Sequence, residues 1–226
     1  PFSLKEWGRE EWQSDHFGRN TSGVPPKGNA DFAWVQHMIG SMAAKSGRLA
    51  VVLPQGALFR AAAEKKIRKQ LLDADMFEAV IGLAPNLFYG TGLAACVVVM
   101  RKRKAPARKG KVLFIDASKL LRKGRNQNTL EDEHREQIEG AFAAFESSEH
   151  FAHVATLEEI AENNYDLNIG RYVEPEDENP LPPLPEAIES LKAALEASFQ
   201  AEDNLMKILK EEGIVDDQGN LIEVTQ

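Results

Sequence analysis

Residues suited to holding a ligand are concentrated in three short segments, each placed where a strand ends. They are Pro1-Phe2 at the start of the sequence, Pro54-Gln55-Gly56, and residues 85–92 (PNLFYGTG). In the last of these, Gly90 and Gly92 allow close approach to the backbone beside Phe88. Because α/β folds place their sites at the carboxyl ends of strands, we expect the three segments to be candidates for one site.

Residue spacing argues against several other chemistries. The Gly-Thr-Gly of residues 90–92 lacks the length and the following helix of a phosphate-binding loop. Cys96 is the only cysteine and lies in an apolar run, which predicts a buried thiol in a reducing cytosol rather than a nucleophile. We expect no metal, because no metal-ligand spacing links the five histidines to cysteine or carboxylates. They are His16, His37, His134, His150 and His153.

Two clusters are candidates for contact with nucleic-acid phosphates. Residues 101–111 (RKRKAPARKGK) carry seven basic side chains between two predicted strands, and a solvated loop is the alternative. The first four of these side chains are Arg101, Lys102, Arg103 and Lys104. The second cluster either contacts a DNA backbone or pins the chain end against the sheet. Its members are Asn164, Tyr165, Asn168, Arg171 and Tyr172.

The net charge of −8 does not exclude a nucleic-acid partner, because the acidic residues are concentrated near the C-terminus. Residues 174–226 contain 14 acidic and 3 basic side chains, which leaves 21 acidic and 24 basic before them, a balance of −11 against +3. Affinity for DNA depends on local phosphate contacts rather than on total charge. No stretch approaches the roughly 18 apolar residues that span a bilayer, so we expect a soluble, cytoplasmic protein.

The elements predicted along the chain alternate as in an α/β fold. Residues 3–29 predict a long loop, and Asn29 or Asp31 can cap a helix that ends near residue 47. Residues 48–54 have no polar alternation, which indicates a parallel strand covered on both faces. A helix is predicted over 60–73, followed by strands over 77–83 and 93–100 that form an antiparallel pair. A further strand is predicted over 112–117 and a helix from Thr129 to about Phe145. A last short helix begins with a capping box of Thr156 and Glu159.

An acidic, proline-rich segment divides the sequence. Residues 174–185 (EPEDENPLPPLP) cannot hold a helix or a central strand, which predicts a linker after a body formed by residues 1–173. Residues 186–226 contain an apolar stripe on one face of a long helix, and such a face needs a partner. A small hairpin is predicted over 214–222. The stripe consists of Ile188, Leu191, Leu195, Phe199, Leu205 and Leu209.

The ordered set of segments resembles the amino-methyltransferases that modify adenine in DNA, and among them the modification subunits of type I restriction-modification systems. Pro1-Phe2 and the following SLKEWG look like the last two residues of the family's Asn/Asp-Pro-Pro-Phe/Tyr tetrapeptide and the loop after it. The resemblance continues through GRLAVVLPQGALFR, IRKQLL, VIGLAPNLFYGTGLAACVVVM, VLFIDAS and EIAENNYDLNIGRYV. Because the sequence begins without an initiator Met or a signal peptide, we expect a C-terminal piece of such a subunit.

The resemblance implies methyl transfer from S-adenosylmethionine to the exocyclic amine of adenine, which must be flipped out of the duplex and held. The family's hydrogen-bond acceptors for that amine, the Asn/Asp and the first Pro, precede this sequence. Pro1 and Phe2 then remain as catalytic residues, while Phe2, Phe88 and Thr91 bind the target base; Tyr89 is the alternative to Phe88. The glycine-rich cofactor loop is expected upstream of Pro1, together with most of the S-adenosylmethionine site.

The resemblance also implies a fold and a set of partners. The expected fold is a partial methyltransferase (Rossmann-like) sheet whose C-terminal strands include an antiparallel hairpin, followed by a C-terminal helical extension. The expected partners are DNA, a specificity subunit, a restriction subunit and a second modification subunit, with no membrane. Two alternatives stay open. In the first, the piece is only a non-catalytic DNA-docking and assembly module. In the second, the methyl acceptor is RNA or a protein glutamine; the segments NLFYGTG and LNIGRYV argue against this second alternative.

Overall fold

The computed structural model describes residues 2–175, 182–216 and 218–219 of the chain. The chain forms two compact units, Pro1–Glu176 and Asp177–Gln226. Three of the features predicted above fall at least partly outside the described residues: Pro1, residues 176–181 of the linker, and residues 217 and 220–222 of the C-terminal hairpin.

The first unit is built on a five-stranded sheet with the strand order β1-β3-β2-β4-β5. Strand β3 is antiparallel to both β1 and β2, β2 and β4 are parallel, and β5 is antiparallel to β4. Consequently β1, β2 and β4 end at one end of the sheet, which we call the carboxyl end. The strands are β1 (Arg48–Pro54), β2 (Phe77–Leu83), β3 (Ala95–Arg101), β4 (Lys111–Ala117) and β5 (Ala152–Thr156).

Helices pack on both faces of this sheet. One face carries the larger core cluster with four helices, and the other carries a smaller cluster against a single helix. The four are α2 (Asp31–Ser41), α3 (Gly56–Phe59), α4 (Ala63–Asp73) and α6 (Leu157–Glu162), and the single helix is α5 (Asp132–Ala144). A further short helix, α1 (Arg9–Gln13), lies in the segment predicted as a long loop. The predicted α/β fold with an antiparallel β2–β3 pair is therefore confirmed.

The central strand is buried on both faces, as its composition requires. All seven residues of β2 are buried, including Glu78, which lies at an irregularity in the β2–β3 register. Side chains that alternate between two covered faces are mostly apolar on both, so β2 and β3 are apolar runs apart from Glu78, whose charge is paired with Arg101 and Arg108, and Arg101 at the end of β3. Cys96 of β3 is fully enclosed, and burial raises the pKa of its thiol to about 12.

The prediction for β1 was wrong in two respects. This strand is antiparallel to its neighbour and lies at the edge of the described sheet, whereas a parallel, doubly covered strand was expected. Its burial alternates, with Leu49, Val51 and Leu53 towards the larger cluster and Ala50 and Val52 on the more open face. The sequence does not show this alternation, because the residues on the more open face, Ala50 and Val52, are apolar as well.

Helix boundaries differ from the predictions where side chains have other partners. Helix α2 begins at Asp31 after Ala30, and neither Asn29 nor Asp31 supplies a capping side chain. Helix α5 is capped by Glu131 in a reciprocal pair with His134, two residues beyond the predicted Thr129. The prediction for α6 is confirmed, since the Thr156 side chain accepts a hydrogen bond from the Glu159 N–H. Strand β5 was not predicted.

The second unit contains α7 (Leu184–Glu211), a helix of 28 residues. Its first two residues lie in the segment 174–185 that was predicted to hold no helix, so that prediction was wrong at its end. None of the residues of α7 is buried, and the apolar side chains of the predicted stripe are exposed except for Leu209, which is half-buried. Within the described residues, no helix combines the length and apolarity needed to cross a membrane.

Candidate functional site

Two of the sequence-predicted site residues meet at the carboxyl end of the sheet. Phe2 and Phe88 contact each other edge to face, with ring centroids 6.2 Å apart and an interplanar angle of 77°. Phe2 is 41% exposed, whereas Phe88 is half-buried against the smaller core cluster. Such a contact contributes about 0.5–1.5 kcal/mol beyond area burial, so it orients the rings without locking them. Tyr89, the alternative to Phe88, is 94% exposed and lies outside this contact.

The loop that carries Phe88 is held by a second loop, which follows β4. Asn128 donates from its backbone to the Asn86 carbonyl at 2.8 Å and from its side chain to the Pro85 carbonyl at 2.9 Å. The Gln127 side chain donates to the Leu87 carbonyl at 2.6 Å. The dipeptide Gln127-Asn128 thus donates hydrogen bonds to the three backbone carbonyls that precede Phe88 in the sequence. Sequence reasoning missed this dipeptide, whose only signal is the polar run at 126–128 (NQN).

Thr91 shapes the turn that follows Phe88. It pairs with Phe88 in an isolated antiparallel bridge, and its hydroxyl oxygen accepts a hydrogen bond from the Leu93 N–H at 3.1 Å. Gly90, between the two, has a φ of +77°, a conformation that residues with a Cβ rarely adopt. This geometry explains why the loop needs glycine.

The segment that carries Phe2 is anchored to the start of α2. The Ser3 N–H donates to Asp31 Oδ1 at 2.8 Å, and the Leu4 carbonyl accepts from the Ala30 N–H at 3.1 Å. Asp31 is 2% exposed and forms a salt bridge with Arg60. The segment that carries Phe2 is therefore held by hydrogen bonds to the start of α2, one of them to a buried carboxylate.

Arg60 is shared by two buried carboxylates. Its Nε lies 2.5 Å from Glu64 Oε2, and its Nη2 contacts both Glu64 and Asp31. Burial alone would lower the pKa of Arg60, but the hydrogen bonds and charges of Glu64 and Asp31 raise it above its ordinary value. Asp31 and Glu64 are thus engaged with a guanidinium that stays charged.

The polar-aromatic cluster near residue 170 anchors the chain to the sheet. Tyr172 is buried and stacks on Phe114 of β4, with centroids 3.9 Å apart, and its hydroxyl donates to the Asp166 carbonyl. Asn168 and Arg171 are exposed, and Arg171 pairs with Asp166 at 2.8 Å. This placement favours pinning, the alternative interpretation, for Tyr172. The exposed pair remains a candidate DNA contact.

The basic loop lies at the opposite end of the sheet. Arg101 pairs in the β1–β3 register with Arg48, the first residue of β1, so β3 separates this loop from the Phe88 loop by about 20 Å. Arg101 and Arg108 both pair with Glu78. Lys104 is buried, and its Nζ donates to Asp75 at 2.5 Å and to the Lys111 carbonyl at 2.7 Å.

This geometry corrects the prediction for Lys104. A phosphate contact would have to break two hydrogen bonds of an enclosed ammonium group, whose pKa is lowered by burial. Arg101 is already paired with Glu78, and Lys102 and Arg103 follow it at the same end of the sheet. Residues 101–104 therefore lie apart from the Phe88 loop, and a DNA contact by Arg101, Lys102 or Arg103 stays a prediction.

Comparison with known proteins identifies the family of the chain. The family model described as N-6 DNA Methylase matches residues 1–180, which includes both aromatic rings and the whole sheet. The chain belongs to the N-6 DNA methylase family. The first 180 residues match the family model, and all of α7 lies outside the matched region.

Three similar proteins define what this methylase chain resembles. It is 43% identical to the type I restriction enzyme MjaVII methylase subunit of Methanocaldococcus jannaschii over 159 residues, covering 69% of the chain and 27% of that protein. It is 34% identical to the MjaIX methylase subunit of the same organism, covering 93% of the chain and 40% of that protein. The crystal structure of a type I methyltransferase subunit from Streptococcus thermophilus matches with a TM-score of 0.71 and 40% identity, over 77% of the chain and 36% of that structure. The chain thus spans well under half of each.

The described residues contain no group of three or more metal-binding side chains. They include cavities, among them one of about 520 Å³ lined by Trp7, Trp12 and Trp34, but neither Phe2 nor Phe88 lines it. The aromatic pair is therefore an open surface feature rather than the wall of that cavity.

Removing the Lys104 ammonium group should destabilise the fold, whereas removing its exposed neighbour should not. Lys104→Ala removes the donor to the Lys111 carbonyl and to Asp75 Oδ1, while the Gly110 N–H still donates to Asp75 Oδ2. We therefore expect the free energy of unfolding to fall by about 1–3 kcal/mol. Arg103→Ala, the matched control, should change it by less than about 0.5 kcal/mol. Urea unfolding of the chain measures both, and equal midpoints for the two variants would refute the structural role of Lys104.

Proposed function

We propose that the protein containing this chain transfers a methyl group from S-adenosylmethionine to the exocyclic amine of an adenine in DNA, within a type I restriction-modification complex. The supporting observation is the contact between Phe2 and Phe88, two aromatic rings from segments 86 residues apart that meet at the carboxyl end of the sheet. Membership of the N-6 DNA methylase family and the resemblance to type I methylase subunits support the same reaction class.

In this proposal the two rings hold the adenine after it has left the duplex. An unstacked base presents a flat face, and stacking on an aromatic ring holds it in a sequence-tolerant way. A base between two parallel rings needs them roughly 7 Å apart, twice the rise of about 3.4 Å between stacked bases. The centroids of Phe2 and Phe88 are 6.2 Å apart, which is close to that separation, but their planes are 77° from parallel. One ring therefore has to turn when the base enters.

We propose that the described residues supply the base-holding side of the reaction rather than the site of the methyl donor. A ribose and an amino-acid moiety call for accessible carboxylates, but Asp31, which binds Ser3, and Glu64 are both enclosed and engaged with Arg60. We propose that other residues of the protein that contains this chain bind S-adenosylmethionine and supply the acceptors for the adenine amine, with Pro1 as a further catalytic residue.

DNA contacts in this proposal come from the carboxyl end of the sheet. Asn168 and Arg171 are exposed on the segment that returns there, where Ile169 packs against Gly82 near the end of β2. A Cβ at Gly82 would lie 2.7 Å from Ile169 Cδ1, so the glycine is required for this close approach. We propose that Asn168 and Arg171 contact phosphates beside the flipped base.

Phe88 and its neighbour Tyr89 give a matched test of the aromatic assignment. Phe88→Ala should lower kcat/KM for methylation of cognate DNA roughly 5- to 150-fold, because stacking contributes about 1–3 kcal/mol per base. Tyr89→Ala, which removes an exposed ring of similar size one residue away, should leave it within about twofold. The measurement is transfer of labelled methyl groups by the complete protein with its partner subunits.

Two results would count against the assignment. If Tyr89→Ala lost the activity and Phe88→Ala kept it, Tyr89 would be the base-binding ring. If neither variant changed methylation, the carboxyl end of the sheet would not hold the base.

A second candidate function is subunit assembly through α7. Its apolar stripe is exposed along the helix, with Leu191 at 59% and Phe199 at 62%. A stripe at helical spacing is the surface that packs against another helix in a coiled coil. We propose a helix of the specificity subunit as its partner, with the restriction subunit and a second methylase subunit joining the same complex. The domain boundaries at 173/174 and 185/186 stay a prediction. The two compact units divide between residues 176 and 177, and α7 begins at Leu184.

Charge placed on the stripe should disrupt assembly. Leu191→Glu should weaken binding of the specificity subunit roughly 30-fold or more, since a buried hot-spot residue contributes at least about 2 kcal/mol. Ser190→Glu adds the same charge on another face of the helix and should leave binding unchanged. Affinity measured with the complete protein decides, and equal loss in both variants would show that acidity, rather than the stripe, governs binding.

A further inference from the structure

Resting on the function proposed above, we propose that Asp31 is a positioning residue that sets the orientation of Phe2 towards the target base, with Arg60 and Gly56 as its support. Asp31 does not cap its own helix. Its carboxylate instead accepts a hydrogen bond from the backbone of Ser3, the residue that follows Phe2. The bond spans 28 residues of sequence and fixes the peptide unit that carries the ring.

The backbone at Ser3 is in a conformation that needs outside support. Its φ is +49°, in the left-handed region that a serine adopts only at a cost of about 1 kcal/mol or more. The Asp31 carboxylate binds this residue twice, through the N–H at 2.8 Å and the hydroxyl at 3.4 Å. Without these bonds the chain after Phe2 is free to relax to a negative φ, and the ring would then leave the carboxyl end of the sheet.

Arg60 pairs with the Asp31 carboxylate and holds it in place. It bridges Asp31 and Glu64, which are 2% and 1% exposed, and Arg68 lies close enough to Glu64 for their charges to interact. Two carboxylates and two guanidinium groups thus balance in a site with little solvent. Arg68 itself is held by the carbonyls of Ala57 and Arg60, which keeps the network rigid.

Gly56 provides the space that Arg60 occupies. A Cβ built at Gly56 would lie 2.7 Å from Arg60 Nη1, so any side chain there displaces the guanidinium. The displaced atom is the end of a flexible side chain, and the backbone of α3 can stay where it is. The Pro-Gln-Gly segment at the end of β1 therefore serves the same site as Phe2 and Phe88, although it contacts neither ring.

The test uses Asp31→Ala, Gly56→Ala and a control, Gly140→Ala, whose added methyl group meets no atom within 4 Å. Each variant is made in the complete protein with its partner subunits and bound to cognate DNA carrying 2-aminopurine at the target position. A stacked 2-aminopurine is quenched, whereas a flipped but unstacked one is bright. Unfolding midpoints and the KM for S-adenosylmethionine are measured alongside.

We expect Asp31→Ala and Gly56→Ala to raise 2-aminopurine emission and to lower kcat roughly 10- to 100-fold, because small misplacements of a positioning group have effects of this size. The KM for S-adenosylmethionine should not change, and Gly140→Ala should match the wild type. Asp31→Asn, which keeps an oxygen acceptor for the Ser3 N–H, should retain more activity than Asp31→Ala.

Wild-type emission and kcat in Gly56→Ala would overturn the proposal, even if Asp31→Ala fails to fold. So would a loss of kcat that tracks the unfolded fraction with no change in emission per folded complex. Phe2→Ala and Phe88→Ala separate this failure from failure of the proposed function. If those two variants lose activity while Gly56→Ala does not, only the positioning role is wrong; if they keep it, the function is wrong.

Discussion

The antiparallel insertion of β3 between β1 and β2 is the constraint on which the site depends. Because β1 and β2 both pair with β3 in the opposite direction, their carboxyl ends lie at the same end of the sheet, on either side of β3, and the loop that turns from β2 into β3 must also lie there. That loop carries Phe88, and the end of β1 carries Gly56. A parallel β3 would need a crossover connection of a dozen or more residues and would carry the loop away from Phe2.

Buried polar interactions then refine what the sheet has brought together. Apolar packing is not directional, so it cannot by itself hold a ring on the surface in one orientation. Hydrogen bonds to charged groups are directional and strong, and a buried carboxylate that lost its donors would cost more than the bond it makes. On the Phe2 side, the buried Asp31 carboxylate accepts a hydrogen bond from the Ser3 N–H. On the Phe88 side, the neutral amide side chains of Gln127 and Asn128 donate to backbone carbonyls of the loop.

Sequence patterns predicted the parts of this structure that are determined locally. The apolar runs of β2 and β3 and the Thr156 cap need only neighbouring residues, and they were predicted correctly. Asp31 was taken for a helix cap because that is its local use, yet its partner Ser3 lies 28 residues away. The basic run around Lys104 indicated a side chain that contacts phosphate or solvent. In the structure Lys104 is buried, because its ammonium group donates to Asp75, 29 residues earlier in the sequence.

The same limit applies to the site. Phe2 and Phe88 were predicted as partners because of a resemblance, while no periodicity links positions 86 residues apart, and the edge position of β1 depends on its pairing rather than on its composition. Supports such as Gln127 have side chains that are common in any surface loop. Only the tertiary arrangement distinguishes them from solvated residues.

The claim that Phe2 and Phe88 hold the flipped base is tested most directly by photocross-linking. Cognate DNA with 5-iodouracil at the target position is irradiated in complex with the complete protein and its partner subunits, and the attached residue is found by mass spectrometry. Our account predicts attachment to Phe2 or Phe88. Attachment to Tyr89, to the 101–111 loop or to a residue elsewhere in the chain would contradict it.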